Sequence, residues 1–480
     1  MRSPLPRRAA ANVPAPKREG TLARRIALEV ILESDGGKRA FIDELLDRHP
    51  ACAGLPERDR HLLQEIAFGA VRHRNTLDHL LDGFVRFAMK RQRPSVRWAL
   101  RLAAYQLVYL NRIPAHAAIS RTLEALKGFP DVARREIGFA NAVLRRLDGD
   151  ILEKSDRPLL DANDPTALPA REGFCRFKRP VLPIYNLDPA GHLSLKHSHP
   201  RWMVERWIER FPADEIVGLL EANSRVPPVT AHLTARAPGR AEVVASLAAQ
   251  GVDADFGLAG ALVLKRTGDP RKLDALRQGW IRIQDSTAAA IGEALAPPEG
   301  ARILDLCAAP GVKSLQIVER IGASGRLLAC DADPERLARL RENLERAGGA
   351  AGAIEARLVP SDPAAIDLGE TFTHVLVDAP CSNSGVLARR PEARWRIRPE
   401  DLARLAERQR ALLAAGVRHL EPGGTLVYST CSIEPEENER VVEWAVERLS
   451  GLQKVSERLF LPHRDGGDGG YCAVLQARVP

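Results

Sequence analysis

The chain has no C-x-x-C pair, although it contains seven cysteines, at 52, 175, 307, 330, 381, 431 and 472. An odd count without paired spacing argues against a disulfide framework and against a structural zinc site. Free thiols, a cytoplasmic location and no bound metal are therefore expected. An apolar stretch long enough to span a bilayer is also missing, so no membrane partner is expected. The first residues, "MRSPLPRRAAANVPAPKREG", carry arginines but lack the apolar segment of a secretory signal, and residues 1–20 read as a disordered basic tail. Acid is absent locally: residues 83–123 hold eight Lys/Arg and no Asp or Glu. Residues 1–150 hold 27 basic against 17 acidic residues, and the remainder of the 480 holds 43 against 45. Positive charge segregated in this way points to a polyanion partner, with Lys90, Arg91, Arg93 and Arg97 as candidate contacts. The alternative is a solvated helix face with snorkelling arginines.

Two nucleotide loops are missing as well. "DLCAAPGVKS" has Leu306 where the phosphate-binding pattern G-x-x-x-x-G-K-[ST] needs its first glycine. Only Gly311 is present, so G-x-G-x-x-G fails too. A site for a diphosphate therefore lacks its glycines. Yet the next apolar run, "GRLLACD", ends in Asp331, and an acid at that place can accept from both ribose hydroxyls. Ribose recognition without a pyrophosphate cradle fits S-adenosylmethionine. Asp331 as a helix cap ahead of Pro334 is the other option.

Residues 21–147 read as all helix. "LARRIALEVILES", "LLQEIAFGAVRHRNTLDHLLDGF" and "VRWALRLAAYQLVYL" space apolar residues at helical period. Pro94 and Pro114 mark breaks, and Ser120 is a plausible cap for "RTLEALKGF". Residues 148–192, rich in Asp, Pro and Ala, read as a linker. Residues 193–290 look mixed α+β, with Trp202 and Trp207 better explained as core than as a base-stacking platform. From 291 to 480, near-continuous apolar strands such as "ARILDLC", "HVLVDAP" and "GTLVYSTC" alternate with helices, which predicts a parallel sheet covered on both faces.

Two of those runs end in turns that carry a cysteine: "DAPCSNSG" with Cys381 and "STCSIE" with Cys431. A pyrimidine C5 is a poor nucleophile, but a thiolate added at C6 makes C5 an enamine carbon that can attack a sulfonium methyl. Thiols suit such covalent catalysis, and a second thiol can assist release. Lys313, in the first loop, could favour a thiolate. Asp378, at the end of its strand, could meet the cytosine N3/N4 edge. The [DN]-P-P-[FYW] signature of adenine or glutamine N-methyltransferases is absent, for the chain has "DAPC". The bland reading of each cysteine is a small buried residue. Spacing does not choose a nucleophile between Cys381 and Cys431.

"DLCAAPGVKS", "DAPCSNSG" and "YSTCSIEPEEN" resemble the loops of the Sun/Nop2 group of RNA cytosine-5 methyltransferases. "AFGAVRHRNTLDHLL", "ALRLAAYQLVYLNRIPAHAAI" and "GFANAVLRRL" resemble a NusB-like RNA-binding domain. Together they point to the RsmB branch of that group. The resemblance implies a multidomain chain, in which a helical RNA-binding domain precedes a class I, Rossmann-like methyltransferase domain. The implied activity is methyl transfer from S-adenosylmethionine to C5 of a cytosine in 16S ribosomal RNA, before the subunit is fully assembled, by a monomer. It also makes Cys431 the nucleophile and Cys381 the release thiol, with Lys313 and Asp378 beside them. The cofactor loop falls on Cys307, Ala308, Ala309, Pro310, Gly311, Val312 and Lys313, the ribose acid on Asp331, the strand-end acid on Asp378 and an acid near the adenine on Asp362. The loop departs from the group's Gly-Gly-Lys by having Val312, which resists positive φ; an ordinary backbone is expected there. A transfer RNA substrate and a non-catalytic RNA-binding or assembly factor are the alternatives.

Overall fold

Prolines mark the starts of three helices in the N-terminal part. The computed structural model describes residues 20–36, 40–347 and 353–479; the predicted tail, apart from Gly20, lies outside the described residues. Seven helices follow: α1 (Thr21–Asp35), α2 (Ile42–Arg48), α3 (Glu57–Arg72), α4 (Arg74–Asp82), α5 (Pro94–Tyr109), α6 (Ala115–Leu126) and α7 (Arg134–Asp150). Pro94 opens α5 and Pro114 immediately precedes α6, where a missing N–H costs nothing and φ is already set. Ser120 is not a cap: it sits inside α6, because the Pro114 start lets "AHAAI" form the first turns. α5 is the central helix, buried along almost its whole length and packed on α1, α3, α4, α6 and α7.

Residues 148–192 are not a linker. They contain β1 (Ile151–Ser155), β2 (Ala167–Pro169) and β3 (Phe174–Phe177), an antiparallel sheet in the order β1-β3-β2. Leu168, Cys175 and Phe177 are buried there. The Pro165 carbonyl accepts from the N–H groups of Val181 and Leu182 at 2.7 and 3.0 Å. Strands of three to five residues between Asp and Pro carry too little period to be read.

The chain divides into two compact units between Arg206 and Trp207. The second opens with an antiparallel sheet of β4 (Val229–Leu233), β5 (Asp253–Phe256), β6 (Leu262–Lys265) and β7 (Ile281–Ile283), ordered β5-β6-β4-β7. Trp207 is buried in the core, as expected; its indole donates to Glu434 at 2.9 Å. A seven-stranded sheet follows: β8 (Arg302–Asp305), β9 (Arg326–Asp331), β10 (Ile354–Leu358), β11 (Phe372–Asp378), β12 (Leu420–Thr430), β13 (Leu452–Phe460) and β14 (Gly470–Ala477). The order is β10-β9-β8-β11-β12-β14-β13, with β8 to β12 parallel and β14 antiparallel to both neighbours.

The apolar runs are continuous because both faces of this sheet are covered. Val375, Val377, Leu426 and Tyr428 join one core with helices Pro399–Arg418 and Glu439–Arg448. Leu376 and Val427 join the opposite core with helices Val312–Ile321 and Pro334–Ala347. The parallel strands all finish at one edge, and the strand order reverses between β8 and β11. That switch point is where open α/β sheets bind ligands.

Candidate active site

Four of the five parallel strands end at that edge in a polar side chain: Asp305, Asp331, Asp378 and Thr430. β8 ends in Asp305, fully buried, whose Oδ2 accepts from Ser314 Oγ at 2.6 Å. Burial pushes this carboxyl up to about 7 against the pull of Ser314. The loop Cys307–Gly311 then turns into the helix Val312–Ile321. Gly311 sits at φ 100, which favours glycine; a Cβ there would also lie 2.3 Å from Leu340 Cδ1, the end of a side chain that can turn aside. Val312 begins the helix and is not among the residues with positive φ, so the departure from Gly-Gly-Lys moves no strained position. The Cys307 thiol is pushed up by burial and then by Asp305 and Asp331, which leaves it a lining group.

Lys313 projects from the first turn of that helix. Its ammonium donates to Asp378 Oδ2 at 2.7 Å, and Ser429 Oγ donates to Asp378 Oδ1 at 2.7 Å. Burial alone would lower the Lys313 pKa. The Asp378 carboxylate, followed by Cys431 and Asp305, outweighs it, and the net shift is upward. A fixed cation therefore stands beside the thiols.

The two cysteine turns come from adjacent strands. β11 stops at Asp378 because Pro380 cannot donate to a ladder. β12 stops at Thr430. Gly385 N donates to the Cys431 carbonyl at 3.0 Å, and a Cβ on Gly385 would come within 2.4 Å of Gly469 O, so the loops pack backbone to backbone. Asn383 takes φ 62 and holds the turn by donating to the Cys381 carbonyl at 3.0 Å. The result is Cys381 Sγ 3.0 Å from Cys431 Sγ, with Cys431 Sγ 3.2 Å from Asn383 Oδ1. The hydrogen bond with Cys431, then burial, then the charges of Cys431 and Glu437 all raise the Cys381 pKa well above the usual thiol range. Cys431 Sγ also donates to Asn383 Oδ1, so the two thiols differ in their partners.

The cofactor side fits an adenosyl group. Asp331 ends β9 almost fully buried, its Oδ1 accepting from Asp333 N at 3.0 Å. Its Oδ2 has no hydrogen bond; the Arg336 guanidinium stands 3.4 Å away. A buried, unfilled carboxylate acceptor beside a loop with no phosphate cradle suits a ribose diol. Asp362 lies beyond the end of β10, exposed, with Oδ1 taken by Ala364 N at 3.0 Å.

The basic candidates fare unevenly. Arg93 pairs with Glu136 at 3.0 Å and donates to the Asp131 carbonyl; Arg97 stands 3.7 Å from Asp35. Arg101 is buried against both oxygens of Asp78, at 2.7 and 2.6 Å, and lies over the Trp98 ring. The stretch has no acid in sequence, but α1, α4 and α7 bring acids to it. Lys90 and Arg91 are exposed. Missed altogether was Glu437, fully buried, which accepts from Ser382 and Ser432, the residues following the two cysteines. The signal available was "PEEN" after the second thiol, with a serine after each cysteine.

This strand order, with an acid ending β9 and a lysine-bearing loop after β8, defines a class I methyltransferase. Among solved structures, PH0851 aligns with a TM-score of 0.75 at 22% identity over 96% of this chain and 99% of its own. NSun6 from Pyrococcus horikoshii, solved with SFG, aligns at 0.51 and 20% over 58% and 98%. These likenesses show the fold. Models for 16S rRNA methyltransferase RsmB/F, the NusB family and the RsmF/B-like ferredoxin-like domain match residues 292–476, 21–148 and 199–269. Ribosomal RNA small subunit methyltransferase B of Vibrio cholerae is 34% identical over 429 residues, 87% of this chain and 89% of its own. That of Sodalis glossinidius is 35% identical over 395 residues, 81% of each. The chain belongs to the RsmB/F family of 16S rRNA methyltransferases.

Proposed function

We propose that the protein methylates C5 of a cytosine in 16S ribosomal RNA, with Cys431 as nucleophile and Cys381 as release thiol. The observation that carries this is the 3.0 Å sulfur pair beside the Lys313–Asp378 ion pair at the sheet's switch point. S-adenosylmethionine, when bound, supplies an electrophilic sulfonium methyl. Asp331 offers to the ribose an Oδ2 that no hydrogen bond fills, and the loop Cys307–Lys313 backs the cofactor, with Asp362 toward the adenine. The Cys431 thiolate adds to C6, and the electron pair of the C5–C6 bond moves to C5, which takes the methyl. The Lys313 ammonium favours that thiolate. Loss of the C5 proton to water then re-forms the double bond and breaks the C6–S bond. The Cys381 S–H donates a hydrogen bond to the departing Cys431 sulfur. Asp378, oriented by Lys313 and Ser429, faces the cytosine N3/N4 edge.

Among the described residues no helix is long and apolar enough to cross a membrane, and we place the enzyme in the cytoplasm, as a monomer that meets its RNA before subunit assembly is complete. Lys90 and Arg91 serve as phosphate contacts. The test is methyl transfer to purified 16S RNA and to transfer RNA, mapped by bisulfite sequencing. One methylated cytosine in 16S RNA is expected. Methylation of transfer RNA alone would redirect the substrate, and none on either would overturn the enzyme.

A further inference from the structure

A carboxylate with no access to solvent joins the two thiol turns. Glu437 is 0% exposed, yet it faces four donors. Its Oε1 accepts from the backbone N–H of Ser382 and from Gln409 Nε2, both at 2.9 Å. Its Oε2 accepts from Ser382 Oγ and Ser432 Oγ, both at 2.5 Å. Two of the four partners are serine hydroxyls, which can donate to the carboxyl or accept from it, and their oxygens lie 3.1 Å apart. Burial pushes the Glu437 carboxyl up; the hydrogen bonds from Ser382, Ser432 and Gln409 oppose it.

The partners matter more than their number. Ser382 follows Cys381, and Ser432 follows Cys431. The two turns belong to different strands, 50 residues apart in sequence, and Glu437 is hydrogen-bonded to both. Its neighbours continue the seam. Asn438 Nδ2 donates to the Ser432 carbonyl at 2.9 Å, and Ser384 Oγ accepts from Ile433 N at 2.9 Å. Glu437 itself is fixed from behind, since its carbonyl accepts from the Tyr428 hydroxyl at 2.6 Å.

We propose that Glu437 is a positioning residue, which clamps the Cys381 and Cys431 turns together with its carboxyl held mainly by the Cys381 turn, so that the two thiols react unequally. The clamp sets the 3.0 Å approach of the sulfurs. The clamp is lopsided, because the Cys381 turn donates two of the four hydrogen bonds and the Cys431 turn one, and the Glu437 charge is among the causes that raise the Cys381 pKa. The groups that bear on the pair are Lys313 and Asp378 from the cofactor side, and Glu437 with Tyr428 from behind. Which thiol attacks is thus decided by a residue that touches neither sulfur nor substrate. The inference rests on the proposed covalent cycle, but part of its test is independent of that cycle.

Glu437→Gln keeps the shape and removes the charge; Ser432→Ala keeps the charge and cuts one leg of the clamp. Each variant, as the full chain, is alkylated with iodoacetamide at fixed pH without RNA, and the Cys381 and Cys431 peptides are quantified. In Glu437→Gln the labelling of Cys381 relative to Cys431 should rise roughly fivefold or more. With RNA and S-adenosylmethionine, kcat should fall about tenfold or more in both variants while both KM values hold, the split expected for a lost orientation rather than lost binding. If Glu437→Gln does not fold, Ser432→Ala decides through its kcat. An unchanged labelling ratio together with unchanged kcat overturns the proposal. A wild-type protein that labels unequally but methylates no RNA would sink the proposed function and leave the clamp standing.

Discussion

Replacing Asp331 by Ala should weaken S-adenosylmethionine binding about 10- to 150-fold, and the magnitude follows from the geometry. The carboxylate is 5% exposed, its Oδ1 is committed to Asp333 N at 3.0 Å, and Oδ2 is unfilled. A ribose diol donating there makes hydrogen bonds to a charged acceptor, each of net value about 1.5–3 kcal/mol. Two such bonds would exceed that range, but truncation opens space for water, which satisfies part of the stranded hydroxyls. A loss of about 1.5–3 kcal/mol is therefore the expectation, at 1.4 kcal/mol per factor of ten. The same change also removes the Asp333 contact and should lower stability by about 0.5–1.5 kcal/mol. Asp331→Asn keeps the Oδ1 contact while losing the charge, and should fall between wild type and Ala in affinity. Titration calorimetry without RNA reads the affinity, and thermal unfolding reads the turn. A lowered melting temperature with wild-type affinity would refute the argument and leave Asp331 as a turn residue only.

Replacing Lys90 and Arg91 together with Ala should reduce the slope of log affinity for RNA against log salt by about one to two, with unaltered thermal stability. Arg101→Ala should do the converse, costing about 3 kcal/mol of stability by stranding Asp78, as chemical denaturation would show. Asp305 has a folded-state pKa raised to about 7 by burial. The folded state thus holds a proton that the unfolded chain has released, and wild-type stability falls as pH rises from about 4 to about 7. Asp305→Asn lacks that penalty, so its melting temperature relative to wild type should climb between pH 5 and pH 8. A constant difference would contradict the burial argument.

The sheet was legible where strands are long and covered on both faces. Residues 375–377 and 426–428 alternate between two cores, so each of these positions is apolar or aromatic, and the polar residues that follow them stand out. The places of Asp331, Asp378 and the two cysteine turns at strand ends were readable for the same reason, since they punctuate apolar runs; Lys313 was picked out by the loop motif alone. Val312 was read correctly as a residue whose own backbone is ordinary, while Gly311 before it takes φ 100. Short strands were not legible. β2 has three residues, and its burial comes from pairing with β3 rather than from its own pattern. Pairing across the fold was also invisible. Arg93, Arg97 and Arg101 look free in a stretch without acids, and they meet Glu136, Asp35 and Asp78 only after α1, α4 and α7 are packed around α5. Glu437 escaped for that reason too. Its importance lies in two serines 55 and 5 residues away, and nothing in a lone glutamate announces such partners.

The central claim is that the two thiols divide one covalent cycle between them, and a denaturing gel with labelled RNA tests it most directly. Cys431→Ala has no nucleophile for C6 and should give neither product nor adduct. Cys381→Ala should still attack and transfer the methyl, but with the hydrogen bond to the leaving sulfur gone it should stall, and a protein–RNA species carrying the methyl group should accumulate. Adduct from Cys431→Ala, with none from Cys381→Ala, would contradict the account by reversing the two roles.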